Sequence, residues 1–137
     1  METSAAKELL GLLSEHTGKW QNLWTTFYTV AAATLTLIAS GKVDAEHIWA
    51  IAPIASAMFL IFAAGNYQAL ESMRQQRGAL LEFMSEKAAD SPHLLAVVTA
   101  AAPPSRNNLR VYHWGLSSLI VALLWVLPLL FSPEIKG

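Results

Sequence analysis

Residues 48–70, IWAIAPIASAMFLIFAAGNYQAL, hold no Asp, Glu, Lys or Arg. A helix needs about 20 mostly apolar residues to cross the hydrocarbon core of a bilayer, and this stretch has the length. Two further stretches share the property, 20–41 before it and 111–133 after it. Three such runs in 137 residues leave little chain for anything else. The composition agrees: 54% of the residues are hydrophobic and 14% charged, against about 25% charged in ordinary soluble domains. In lipid the backbone polar groups have to pair within their own segment, so each run is expected to be helical. The sequence therefore predicts an all-α integral membrane protein, a single bundle over 1–137. It would have three transmembrane helices, an N-terminal amphipathic helix and a cytoplasmic helical extension of the second span.

The basic residues set an orientation. Lys7 and Lys19 precede the first run, and Arg74, Arg77, Lys87, Arg106 and Arg110 lie between the second and third. Only Lys42 lies in the short first connection and only Lys136 in the tail. The positive-inside bias then places the N-terminus and the region 71–110 in the cytoplasm, the C-terminus outside, and the chain in the inner (cytoplasmic) membrane. Glu2 precedes any basic residue, and the first span reads as an uncleaved signal-anchor. Trp20, Trp24, Tyr112 and Trp114 mark the inner boundary and Trp49 the outer one, as rings with one polar atom favour headgroup depth. Trp125 falls deeper and is expected to pack against protein or lipid tails.

Helical periodicity continues beyond the spans. Ala6, Leu9, Leu10, Leu13 and Thr17 recur on one face, with Ser4 as the cap. The segment either joins the first span in one long helix or kinks near Gly18. After the second span, Leu70, Met73, Arg77, Leu80 and Met84 alternate at three- and four-residue steps, a short coiled-coil-like stalk seam with the N-terminal helix as its partner. A helix from His47 to about Ala89 would exceed about 60 Å in length. Arg77 interrupts the seam and either snorkels, pairs with Glu8 or Glu15, or fixes register. Ser91 followed by Pro92 reads as a helix start, Pro103 and Pro104 stop that helix, and 105–110 reads as a polar turn.

Small residues are the main candidates for helix contacts. Ala50, Ala57 and Ala64 recur every seven residues, with Ala52 and Ser56 beside them. Ala32, Thr36 and Ser40 repeat every four. Lipid gives helices no hydrophobic reason to associate, so close approach over small side chains matters. These stripes would pack span 1 on span 2 or join subunits. Thr25, Thr29 and Thr36 share a face and would line a pore, unless each hydroxyl returns to a carbonyl of its own preceding turn. Asn66, Tyr67, Arg106 and Arg110 gather near the inner boundary, where they would hold a lipid headgroup or act as ordinary anchors.

Several functions lack any signature. There is no cysteine, no hydrolase or zincin motif and no phosphate-cradling glycine loop. His16, His47, His93 and His113 have no metal-ligand spacing. No metal, cofactor or catalytic residue is expected, and a net charge of −1 with no basic stripe gives nucleic acid no purchase. No span carries an ionisable Asp, Glu, Lys or Arg, which argues against ion-coupled transport. The expected function is that of a non-enzymatic membrane subunit, homo-oligomeric or accessory to a larger complex. The alternative is an oligomeric pore or membrane-disrupting effector with span 1 as its lining.

Overall fold

The computed structural model describes residues 2–43 and 45–131; the end of the third apolar run at 132–133 and the tail with Lys136 lie outside the described residues. Among the described residues there are four helices and no other regular element: α1 (Glu2–Ala39), α2 (Ala45–Lys87), α3 (Pro92–Ala100) and α4 (Arg106–Phe131). Two of the four, α2 and α4, are long and apolar enough to cross a membrane.

α1 runs unbroken through Gly18, and it starts at Glu2, ahead of the Ser4 cap expected from sequence. The N-terminal segment is thus the first part of a longer helix. At the other end Ser40 closes the last turn through its N–H to the Thr36 carbonyl (2.9 Å), and Gly41 follows at φ +67°. That left-handed geometry is costly for a residue with a Cβ and open to glycine. The chain reverses there, and α2 returns antiparallel to α1.

α2 covers nearly the whole 47–89 interval read from the sequence, with Pro53 near its start. Proline is tolerated best in a first turn; Pro53 sits further in and leaves one carbonyl of the preceding turn without its usual partner. α3 begins at Ser91, whose backbone is extended (φ −125°, ψ 101°) and whose hydroxyl makes no capping bond, so Pro92 with its fixed φ starts the helix. α4 opens five residues earlier than the expected span. Ser105 Oγ accepts the Asn108 N–H at 3.1 Å, so residues 106–110 form a capped first turn and not a loop.

The helices pack in two stacked layers of core. Phe27 and Ala31 of α1, Phe59 and Ala63 of α2 and Ile120 of α4 form the first, flanked by Trp24, Phe62 and Leu116. Leu13 of α1, Leu81 and Met84 of α2 and Val98 of α3 form the second. The second layer is the lower part of the molecule, a three-helix stalk in which α3 stands upright beside α2. Along the stalk seam Leu70 and Met84 are buried, and Met73, Arg77 and Leu80 half-buried. At the far end, Trp49 and Trp125 meet at 6.1 Å between ring centroids.

Candidate functional site

Between the two core layers lies a buried polar junction of three helices. Asn66 of α2 donates from Nδ2 to the Leu23 carbonyl of α1 at 3.0 Å. Its Oδ1 lies 3.3 Å from Nε2 of His113 on α4. One turn on, Ser117 Oγ donates to the His113 carbonyl at 2.8 Å. His113 and Ser117 are fully buried and Asn66 is 6% exposed.

The network fixes its own protons. A carbonyl can only accept, so the Leu23 oxygen takes the amide NH2 and turns the Asn66 oxygen toward His113. His113 then carries its proton on Nε2, and Nδ1 keeps a lone pair that meets no partner among the described residues. Four rings close around the imidazole: Phe27 at 4.8 Å, Tyr67 at 5.4 Å, Trp114 at 5.6 Å and Trp24 at 5.8 Å between centroids. Such a junction holds α1, α2 and α4 in one register, because sliding any helix by a turn would strand a buried polar atom. Next to it, the Tyr28 and Tyr112 hydroxyls meet at 3.1 Å on the exposed flank.

Sequence reasoning put Asn66 and His113 near the same boundary of their runs but did not pair them. The matched depth was a usable signal. The four residues read as a headgroup site are divided by the fold. Asn66 spends both ends of its amide inside the bundle, and Tyr67 packs on His113 and Trp114. Arg106 lies 3.5 Å from Glu71, which Arg74 also holds at 2.9 Å, and Arg110 is exposed. Glu71, not singled out in the sequence, is the centre of that surface cluster. Arg74 holds its carboxyl below the usual carboxylate range, against the opposing effect of burial.

Arg77 is a junction as well. Its Nε donates to the Ala101 carbonyl at the end of α3 (3.0 Å), and a terminal nitrogen donates to Thr17 Oγ1 on α1 (3.3 Å). Neither Glu8 nor Glu15 supplies the partner; Glu15 pairs with Lys19 at 2.7 Å. The reason is position: Thr17 and the open end of α3 lie at the level of Arg77, while Glu15 points to solvent. Beside it His16 is half-buried against the Met73 backbone. Burial first, then the Arg77 charge, pushes its pKa below the ordinary 6.5.

The small-residue stripes fall mostly on the outside. Ala52 and Ser56 are buried and Ala64 half-buried, but Ala50, Ala57, Ala32, Thr36 and Ser40 are exposed. The expected packing of span 1 on span 2 through those five is corrected. The contact runs instead through Phe27, Ala31, Phe59 and Ala63, where two aromatic rings fill the space between two alanines. Thr25, Thr29 and Thr36 form an exposed row on α1. Thr34 and Thr17 return their hydroxyls to carbonyls four residues back (2.8 and 2.9 Å). Among the described residues the three threonines of the row make no side-chain hydrogen bond.

Among the described residues no three His, Cys, Asp or Glu side chains come together as a metal site. No protein-family model matches the sequence, and no curated protein and no solved structure is detectably similar to it.

Proposed function

We propose that this chain is a small multi-pass membrane protein and a non-enzymatic subunit of a membrane assembly, made through lateral helix contacts. In this reading α1 supplies a third span over 20–41, the stalk and the N-terminus face the cytoplasm, and the turn and the C-terminus face outward.

The membrane setting is supported by what the bundle leaves bare. The most apolar windows of α2 and α4 are each only 22% buried within the chain, whereas the core helix of a soluble protein would be mostly covered. Ile54, Met58 and Ile61 of α2 and Val111 and Leu130 of α4 are 60–75% exposed, an apolar surface that water would not tolerate but lipid would. Lys19, Arg74, Arg77, Arg106 and Arg110 gather where the stalk meets this surface, as the positive-inside bias asks of a cytoplasmic boundary.

The observation that carries the assembly role is the outer face of α1. Thr25, Thr29, Ala32, Thr36 and Ser40 are exposed there, and it is α1 that lacks an apolar window as strong as those of α2 and α4. A hydroxyl and small-residue face is poor lipid surface and good helix surface. The test is the particle mass of the full chain in nanodiscs. A multiple of 14.9 kDa, or a stoichiometric partner, is expected, and Ala32→Leu should reduce it to the single chain. A lone chain with no partner would refute the proposal.

A second reading uses the same row of hydroxyls as the wall of an oligomeric pore. It predicts ion flux in liposomes that Thr29→Leu lowers. An assembly without flux favours the accessory role.

A further inference from the structure

The stalk carries an open-sided groove of about 870 Å³ between the start of α1, the end of α2 and the start of α3. Leu9, Leu12, Phe83 and Leu94 form its apolar walls, and Ala5 and Ala6 leave its floor shallow. Phe83 is 50% exposed and Leu12 45%. Glu8 and Asp90 stand on the rim, and Glu82 and Glu86 are exposed on the adjoining surface of α2. One cation lines the groove: Lys87, whose Nζ lies 5.7 Å from the centre of the Phe83 ring.

Charge is therefore divided along the stalk. Arginines and Lys19 crowd its membrane end, and at the far end the carboxylates Glu8, Glu82, Glu86 and Asp90 outnumber the lysines Lys7 and Lys87. Phe83 lies thirteen positions beyond Leu70, so the groove stands about 20 Å below the end of the apolar run at 1.5 Å per helical residue. Headgroups occupy about 5–8 Å of that, and the remainder exceeds the Debye length of about 8 Å at physiological salt. An acidic apolar cleft at that distance is placed for a soluble partner. Anionic lipid is repelled by its rim. A second copy has no basic amphipathic helix to offer among the described residues, since Arg74, Arg77 and Arg106 are engaged at the other end of the stalk and Arg110 stands with them at the membrane end.

We propose that this groove docks a basic amphipathic helix of a soluble protein, with apolar residues at i, i+3 and i+7 against Phe83, Leu12 and Leu94 and Lys or Arg along the edges against Glu8, Glu82, Glu86 and Asp90. Lys87 is the gate of the free state: it covers the Phe83 ring and lowers the acidic charge of the rim. The orientation rests on the membrane reading above, but the docking does not depend on the lateral contacts of α1.

The test uses the full chain in phosphatidylcholine nanodiscs and two labelled four-turn peptides. One has Leu on one helical face and Lys on the other; its control has Glu for every Lys. By fluorescence anisotropy, with empty nanodiscs subtracted, the Lys peptide is expected to bind about tenfold or more tightly than the Glu peptide. Its affinity should fall as salt is raised. Phe83→Asp should weaken binding about tenfold, and Lys87→Ala should strengthen it severalfold. Glu82→Lys with Glu86→Lys should invert the peptide preference. Equal binding of both peptides, indifference to Phe83→Asp, or a doubled particle mass that Phe83→Asp abolishes would each overturn the proposal. A single-chain particle that still selects the Lys peptide would sink the assembly role and leave the groove standing.

Discussion

Asn66 is the side chain at which α1, α2 and α4 meet. Replacing it with Ala leaves the His113 Nε2–H buried and unanswered, which costs about 1–3 kcal/mol. Reversible unfolding in mixed micelles should show that loss. Adding His113→Phe should return part of it, with a coupling of about 1 kcal/mol across the pair. His16 makes a separate, pH-dependent contribution. Burial, the Arg77 charge and, more weakly, the Lys19 charge lower its pKa below 6.5 in the fold. The unfolded chain then binds the proton more readily, so stability is full above about pH 6.5 and declines as pH falls through the lowered value. The drop in melting temperature between pH 7.5 and pH 5.5 should shrink in His16→Gln, which cannot take up the proton. Neither junction was legible as a contact. A single buried Asn and a single His say that partners are needed, but the choice between partners is made by packing across helices far apart in sequence.

Single elements were far more legible. The extent of α2 followed from an uncharged run joined to a three-four seam with no proline after Pro53, and the helix ends within two residues of the boundary read from that pattern. The start of α4 was missed because Ser105 and Asn108 cap a turn that composition alone marks as a loop. The inward face of α1 was missed by one position, with Ala31 buried where Ala32 was expected. In a run where small and apolar residues occupy every face, periodicity has no polar side to measure from. Gly78 lies within α2 where a Cβ would meet nothing within 4 Å. Gly78→Ala should therefore stabilise the stalk by about 0.5–1 kcal/mol through helix propensity, measured by thermal melting. Arg77→Met keeps the stem and deletes both bonds. It should release α3 first, seen as faster amide exchange over 92–101 with little change in the amides around Phe59.

At the scale of the whole molecule, the opposed ends differ in chemistry. The stalk end carries most of the charge, and the turn end carries Trp49, Trp125 and a single lysine, Lys42, among the described residues. Because the chain has no cysteine, single cysteines report position cleanly. In the proposed topology, Glu86→Cys and Lys42→Cys are labelled by a membrane-impermeant maleimide from opposite sides of a sealed vesicle. Labelling of both from one side would remove the second span. Composition made the all-helical class and the long apolar runs plain. It did not show that α1, rich in threonine, differs from α2 and α4 in how strongly it favours lipid, since absence of charge and presence of hydrocarbon are separate properties.

The unbroken passage of α2 from Ile54 to Lys87 has a mechanical corollary. A continuous α-helix resists twisting far better than two helices joined by a hinge, so its ends turn together. A torque on the ring of Phe83 is carried as rotation to Phe59, at the interface with α1 and α4. The 43-residue shaft, about 64 Å long, thus joins whatever grips its free end to the packing of the bundle above it.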